Sequence, residues 1–130
     1  MLKKTIKFTD FNGMERSEDH YFNLTKVELM RMEANVQGGL SEKLKRVSAA
    51  QDAAAIMEVM EDLIRKSYGK KTADGGFVKR QDYLDEFVST EAYSELFMEL
   101  ITDDKAATAF VQGILPAGLR EQAALAAKAN

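Results

Sequence analysis

The sequence predicts a mainly helical α+β domain in which an N-terminal β-hairpin packs on five or six helices. In the first 24 residues, apolar positions alternate with polar ones in two segments, which is typical of half-buried strands. From Thr25 onward apolar residues recur at the spacing of helices, and these segments are bounded by residues typical of helix starts and stops. A chain of 130 residues is long enough for one such domain and short for two.

The hairpin is predicted from two alternating segments, residues 5–9 and 20–24. Their core-facing positions are Ile6, Phe8, Phe22 and Leu24. Asn12-Gly13 is a strong turn signal, but a two-residue loop there would set Phe8 opposite Ser17 and turn polar side chains toward the core. We therefore expect a longer loop or a bulge, with Phe8 near His20 or Phe22.

Three helices are predicted between residues 25 and 69 from caps and from apolar residues at helical spacing. The caps are Thr25 with Glu28 for the first helix and Ser48 or Asp52 for the third. The apolar positions are Val27, Leu29, Met30 and Met32, then Leu40, Leu44 and Val47, then Ile56, Met57, Met60, Leu63, Ile64 and Tyr68. Gly38-Gly39 and Gly69 are predicted to end the first and third helices.

Residues 70–79 form a polar connection with a turn at Asp74-Gly75-Gly76 and a third short strand at Phe77-Val78. Three more helices follow, the second capped by Ser89 or Thr90 and the third by Asp103. Their apolar positions are Tyr83, Leu84, Phe87 and Val88, then Tyr93, Leu96, Phe97, Leu100 and Ile101, then Ala106, Ala107, Phe110, Val111 and Ile114.

Pro116 is predicted to end the last helix, so residues 1–116 are assigned to a single α+β domain. Residues 117–130 are rich in alanine and contain only two large apolar side chains. A helix this short is marginal in water on its own. We expect this C-terminal tail to be frayed or to become ordered on a partner.

The composition argues against several functional classes. The chain has no cysteine, which excludes disulfides, thiolate metal sites and thiol catalysis. Its longest apolar runs have five residues, and its first residues lack the apolar stretch of a signal peptide, so we expect a cytoplasmic protein without a membrane partner. A net charge of −3 makes nucleic acid an unlikely partner.

No set of residues has the spacing of a catalytic or metal site. The only histidine, His20, lacks a serine or carboxylate at a recognisable spacing, so we expect a structural or surface role. Glu91, Glu95 and Glu99 share one helix face, where like charges suit a solvated or partner-facing stripe. The segment after Asp74 lacks the ligands of a calcium loop. We predict no enzymatic activity and no cofactor.

Charge is segregated in the middle of the chain. Residues 65–80 carry six basic side chains and one acidic, a balance of +5, whereas residues 81–104 carry eight acidic and no basic, a balance of −8. The basic segment could fold over the acidic helices of its own chain, or the two could contact other molecules. The pattern alone leaves both alternatives open.

Seven methionines are a second unusual feature. Met30, Met57, Met60 and Met98 lie at apolar helical positions, so we expect core filling there, whereas Met14 and Met32 are harder to bury. Flexible thioethers at a surface suit a protein that binds varied apolar sequences.

Four segments carry a resemblance to a known family: FTDFNG from residue 8, YFNLTKVEL from residue 21, GGLSEKL from residue 38, and the stretch from DLIRKSYG at residue 62 to ILP at residue 116. The most diagnostic parts are Tyr68-Gly69-Lys70-Lys71, Asp74-Gly75, Phe77-x-Lys79 and Thr90-Glu91-Ala92-Tyr93. Over residues 6–116 the sequence resembles the tail assembly chaperones of long-tailed phages and prophages of Gram-positive bacteria.

The resemblance implies a non-enzymatic role in the bacterial host cytoplasm. Proteins of this family bind the tape-measure protein, keep it soluble while tail-tube subunits polymerise around it, and are absent from the mature virion. Many are made as a short form and a frameshifted longer form, and several self-associate. The expected partners are therefore the tape-measure protein, the tail-tube protein, a longer form of the same protein and further copies of the chain.

For the partner contact we select aromatic and basic residues in and next to the polar connection: Tyr68, Lys70, Lys71, Phe77, Lys79 and Arg80. Three alternatives stay open. A structural phage protein of the tail tube, capsid or connector would be found in purified virions. A small nucleic-acid-binding regulator would use the helix around Arg65 and bind duplex DNA with a steep salt dependence. A hydrolase would depend on His20.

Overall fold

A computed structural model describes residues 1–35 and 38–116. The elements are β1 (Leu2–Thr9), β2 (Glu15–Phe22), α1 (Lys26–Ala34), α2 (Gly39–Ala50), α3 (Ala53–Ser67), β3 (Tyr68–Lys71), β4 (Phe77–Val78), α4 (Gln81–Val88), α5 (Glu91–Thr102) and α6 (Asp104–Ile114). The predicted mainly helical α+β fold with an N-terminal hairpin and six helices is confirmed within these ranges. The predicted C-terminal tail lies outside the described residues.

The strands form one antiparallel sheet in the order β1-β2-β3-β4. Helices cover one face of it, because α5 and α6 contact β1 and α4 contacts β3. The odd-numbered positions of β1 are exposed, whereas Ile6 on the helix-facing side is buried. The sheet therefore has one solvated and one buried face, as its alternating sequence predicts.

The first hairpin has a five-residue loop, Asp10–Met14, so the predicted longer loop is confirmed. The Asp10 carboxylate accepts hydrogen bonds from the backbone N–H groups of Asn12 and Met14, and Gly13 has a φ of 78°. The predicted position of Phe8 is wrong, because Phe8 pairs with Arg16 rather than lying near His20 or Phe22. The loop chemistry fixes this register, which sets the polar side chains of Arg16 and Glu18 on the helix-facing side near the loop.

The strand β3 was not predicted. We expected Gly69 to end α3, but α3 ends at Ser67 and Gly69 lies inside β3, while the predicted strand at Phe77-Val78 is confirmed as β4. Gly69 allows a close approach, since an added Cβ would lie 2.8 Å from the Val78 carbonyl oxygen and 2.9 Å from the Phe77 ring. Four residues without apolar alternation give no strand signal of their own, so pairing with β2 and β4 forms this strand.

The β3–β4 turn repeats the hydrogen-bond pattern of the first hairpin. The N–H of Thr72 donates to the carbonyl of Gly76, and the N–H of Gly76 donates to the hydroxyl of Thr72, as Asp10 and Met14 do in the first loop. Gly75 has a φ of 84° and matches Gly13. The predicted turn at Asp74-Gly75-Gly76 is therefore confirmed, and it spans residues 72–76.

The predicted N-terminal caps of α1, α3, α5 and α6 are confirmed, whereas α1 ends at Ala34, before the predicted stop at Gly38-Gly39. Thr25 and Glu28 form a complete capping box on α1, and Asp52 rather than Ser48 caps α3. Thr90 caps α5, and the Asp103 side chain accepts from two N–H groups at the start of α6. These contacts are local in sequence, so residue type and spacing suffice to predict them.

The core lies between the sheet and the helices and contains a cluster of aromatic rings. Its fully buried large side chains are Phe22, Phe87, Phe110, Leu24, Leu63, Ile64, Leu96 and Ile114. Phe22 is at the centre of this cluster, with ring centroids 5.3 Å from Phe110, 5.7 Å from Tyr68 and 5.9 Å from Phe87. These contacts join the sheet to α4 and α6.

Several predicted core positions are wrong. Val27 and Met30 of α1 are exposed, because this helix buries only the face that carries Leu29 and Met32. Met57 and Met98 are also exposed, by 42% and 51%. Of the seven methionines only Met32 and Met60 are buried. The expectation of core filling at Met30, Met57 and Met98 therefore fails, and so does the expectation that Met32 is hard to bury.

Candidate partner-binding groove

An open groove of about 410 Å³ lies between α1, the C-terminal end of α3 and the start of α4. We call it the basic groove. Its lining residues are Leu24, Glu28, Arg31, Met32, Asn35, Arg65, Lys66, Tyr68, Lys79, Arg80, Gln81 and Leu84. Five of these side chains are basic and one is acidic, a balance of +4 in a chain whose net charge is −3.

The basic groove has an apolar floor and a charged rim. Leu24, Met32 and Tyr68 belong to the buried core and supply the floor. The exposed rim includes Arg31 and Arg80. A partner segment with one apolar side and flanking acidic residues would satisfy both parts of this surface.

One wall of the groove is fixed by an ion pair between Lys79 and Glu28. The Lys79 ammonium lies 2.7 Å from both carboxylate oxygens of Glu28, whose side chain also accepts from the N–H of Thr25. Partial burial acts to raise the pKa of Glu28, but the hydrogen bonds from Lys79 and Thr25 outweigh it and lower that pKa below its ordinary value. Lys79 therefore ties the end of β4 to the start of α1 and has a structural role.

The Tyr83 ring on α4 contacts two cations next to the groove. The Lys70 ammonium is 4.5 Å and the Arg80 guanidinium carbon 5.1 Å from the ring centroid. Arg80 also donates two hydrogen bonds to Asp82, at 3.0 and 3.1 Å, and these bonds raise the pKa of its guanidinium. The ring and the carboxylate hold Arg80 with its charge at the surface.

The remaining cations of the groove are loosely held. Arg65 and Lys66 pair with Glu61 and Asp62 one turn earlier on α3, at 3.0 Å in both cases. Such exposed pairs contribute at most about 1 kcal/mol, so a partner's carboxylates can replace them. Arg31 forms no ion pair with any residue in the two described ranges, which leaves its charge available.

The six residues selected from the sequence do not converge on one spot. Tyr68, Lys79 and Arg80 line the basic groove, and Lys70 adjoins it through Tyr83. Lys71 and Phe77 are paired with each other in the sheet. The Lys71 ammonium lies 5.0 Å from the Tyr21 ring, on the solvated face of the sheet.

Tyr68 does not present its ring at the exposed rim of the groove. It is only 6% exposed, and its ring stacks on Phe87 with centroids 4.3 Å apart. Burial, together with the nearby charges of Glu86 and Glu18, raises the pKa of its hydroxyl. Tyr68 shapes the floor of the groove instead.

Arg31 was missed because the groove is assembled by tertiary packing. Arg65 and Lys66 belong to the basic segment of the sequence, but Arg31 is on α1 and meets them only after α1 and α3 pack. In the sequence, Arg31 is distinguished only as a basic residue one helical turn after Glu28 of the capping box.

The charge segregation is satisfied only in part within the chain. Lys70 lies 3.7 Å from Glu86, and Arg80 lies 3.0 Å from Asp82, so two basic residues of the segment 65–80 contact acidic side chains of helix α4. Glu99 pairs with Lys4 at 2.8 Å, whereas Glu91 and Glu95 form no ion pair within the described part of the chain. Both the intramolecular and the partner-facing alternatives therefore retain support.

The residues considered for catalysis are placed apart from the groove. His20 lies half-buried, with its ring 4.8 Å from the Phe87 ring and 3.4 Å from a Glu18 oxygen. Burial lowers the pKa of His20, an effect that Glu18 opposes.

Across residues 1–35 and 38–116, no group of three or more histidine, cysteine, aspartate or glutamate side chains has an arrangement suited to a metal ion. In the same ranges no helix is long and apolar enough to cross a membrane.

Comparisons with known proteins give one match. A family model described as "Phage tail assembly chaperone" matches residues 1–130. No curated protein and no solved structure matches the chain.

Proposed function

The chain belongs to the phage tail assembly chaperone family, and from this premise we propose that it binds the tape-measure protein and keeps it soluble while tail-tube subunits assemble around it. The single observation that supports this most is the basic groove, in which five cations surround an apolar floor. An amphipathic helix with acidic flanking residues fits such a surface, because its apolar side meets the floor and its carboxylates meet the rim.

The exposed apolar side chains support the same proposal. Phe11 and Met14 in the first hairpin loop are 77% and 64% exposed, and Val27 and Met30 on α1 are 58% and 71% exposed. Large apolar side chains that are exposed to water are typical of surfaces that bind apolar segments of other proteins. The flexible methionine side chain can adapt to many such segments. A chaperone that binds a long, varied polypeptide needs this adaptability.

Of the residues selected from the sequence, Lys70, Lys71, Phe77 and Arg80 are proposed to contact the partner, with Arg31 added. Lys79 is excluded from the proposed contacts because it ties α1 to β4 through Glu28. Reversal of two exposed charges should weaken co-purification with the tape-measure protein while the fold survives. Loss of folding would instead assign these residues a structural role.

Where the protein acts, how it acts and what else it binds are part of the same proposal. We propose that the protein acts in the host cytoplasm by reversible binding without catalysis, and that it leaves before the virion matures. The tail-tube protein, a frameshifted longer form and further copies of the chain are its other proposed partners. The family match supports a partner among phage tail proteins and is the basis for these details.

Co-expression tests the proposal. The tape-measure protein of the same phage is expressed alone, with this chain, or with an unrelated acidic protein of similar size, and the soluble fraction is measured. We expect this chain, and not the control, to move the tape-measure protein into the soluble fraction and to co-purify with it. An insoluble tape-measure protein in all three cases would contradict the proposal.

Purified virions separate the proposal from a structural role. We expect this chain to be absent from mature particles by mass spectrometry. Its presence at a fixed copy number would indicate a tail-tube, capsid or connector protein instead. Binding to duplex DNA that weakens steeply with salt would favour a regulator.

A further inference from the structure

A second groove shares no lining residue with the basic groove. It has a volume of about 450 Å³, and residues of α2, α3, α5 and α6 line it. Ten of its fourteen lining side chains are apolar, among them Leu44, Val47, Ile56, Ile101 and Val111. Its rim carries a single charged residue, Asp104, beside Ser48, Thr108 and Gln112. We call it the apolar groove.

The apolar groove runs along the whole of α6. Both Asp104 at the start of this helix and Leu115 just after its end line the groove. Eleven residue steps of helix separate them, which is about 16 Å at 1.5 Å per residue. The other side of α6 is already packed, because Phe110 and Ile114 are buried in the core. One face of α6 thus lacks a covering element within residues 1–35 and 38–116.

We propose that the apolar groove binds the C-terminal segment of the same chain, residues 117–130, as a helix antiparallel to α6. The segment starts at the groove itself, because Leu115 lines it and Pro116 follows in a chain that has left the helical conformation. Fourteen residues form a helix of about 21 Å, which is enough to cover α6. Pro116 and Gly118 are residue types that suit the reversal between two helices.

The sequence of the segment fits this groove. In a helix, Leu119, Ala123, Ala126 and Ala129 fall on one side, and Leu125 lies at its edge, about 120° around the axis from Leu119 and about 40° from Ala129. Small alanine side chains allow a helix to approach α6 closely, while Arg120, Glu121 and Lys128 fall on the opposite or lateral side.

Connection to the groove makes binding within one chain favourable. A short tether gives an effective concentration in the millimolar range, so even weak contacts fill the site. The sequence suggested a tail that is frayed or ordered on a partner, and this inference assigns it to its own domain instead. It stands apart from the proposed function, since its test involves no other protein.

Disulfide trapping tests the inference, because the chain has no cysteine of its own. Thr108→Cys with Ala126→Cys joins the groove to the segment, and Ser17→Cys with Ala126→Cys is the matched control on the solvated face of the sheet. Both Thr108 and Ser17 are exposed, so neither substitution disturbs the core. Under dilute oxidation we expect the groove pair to close an intramolecular disulfide roughly tenfold faster than the control pair. Equal rates, or disulfide-linked dimers as the main product, would overturn the inference.

A second pair of variants distinguishes docking from random encounter. Leu119→Glu in the Thr108→Cys/Ala126→Cys background adds a charge to the apolar side of the segment, whereas Ala124→Glu adds the same charge on its polar side. We expect only Leu119→Glu to slow disulfide formation to the rate of the Ser17 control. If both variants react like their parent, the segment does not use its apolar side and the inference fails.

Discussion

At the scale of single residues, His20 is an ionisable side chain that packs against the aromatic cluster. Its ring is half-buried against Phe87, and burial lowers its pKa while Glu18 and Asp19 of β2 oppose that shift and Lys70 of β3 reinforces it. The folded state therefore favours the neutral ring more than the unfolded state does. Below pH 6.5 the unfolded chain takes up a proton that the folded chain resists.

Stability should consequently fall as the pH decreases through the region just below 6.5. We expect urea unfolding of the wild type to give a lower free energy of unfolding at pH 5.5 than at pH 7.5, with a slope of at most about 1.4 kcal/mol per pH unit. His20→Gln should flatten this dependence, since the chain has no other histidine. Glu18→Gln should enlarge it. An identical pH dependence in wild type and His20→Gln would contradict the described environment.

Gly69 provides a steric prediction. Gly69→Ala places a Cβ 2.8 Å from the Val78 carbonyl oxygen and 2.9 Å from the Phe77 ring, so β3 and β4 must move apart. We expect a loss of about 1–3 kcal/mol in the free energy of unfolding. Lys71→Ala, at an exposed position of the same strand, should stay within about 0.5 kcal/mol of wild type. Urea unfolding compares the two variants. Equal free energies of unfolding would show that β3 and β4 do not approach each other this closely at Gly69.

At the scale of elements, local signals explain why the helices could be predicted. The capping residues Thr25, Asp52, Thr90 and Asp103 act on backbone N–H groups two or three residues away, so sequence spacing contains the whole interaction. The hairpin register and strand β3 could not be predicted in this way. Both depend on pairing with distant strands and on a loop in which Asp10, rather than Asn12-Gly13 alone, fixes the turn.

The capping box on α1 gives a prediction at this scale. Thr25→Ala removes the acceptor for the N–H of Glu28 at the start of the helix. We expect a loss of about 1 kcal/mol in the free energy of unfolding. Thr25→Ser keeps the hydroxyl and should retain most of that stability. Thermal unfolding of the two variants checks this, and equal losses would mean that the cap is not formed.

At the scale of the whole molecule, the aromatic cluster connects the sheet to the helices. Phe22→Ala removes the ring that contacts Tyr68, Phe87 and Phe110, and we expect a loss of about 3–5 kcal/mol. Phe11→Ala deletes the same ring from the exposed hairpin loop and should change stability by less than about 0.5 kcal/mol. Urea unfolding compares them. Similar losses for both would contradict the assignment of the core.

The candidate site also belongs to this scale. The charge pattern of the sequence identified the basic segment, and half of the selected residues do line the basic groove. Sequence reasoning could not find Arg31 or recognise Tyr68 as buried, because both facts depend on how α1, α3 and α4 pack together. The apolar groove depends on packing in the same way, since four helices contribute to it.

The central proposal is that the basic groove binds the tape-measure protein. Its most direct test is quantitative recovery of co-expressed tape-measure protein on tagged wild type, on Arg31→Glu/Arg80→Glu, and on Lys45→Glu/Lys105→Glu. The last variant makes the same change in net charge at exposed positions outside the groove. We predict that the groove variant recovers at least about tenfold less partner, a difference of roughly 1.4 kcal/mol, while the control matches wild type. Equal recovery on all three folded proteins would contradict the account.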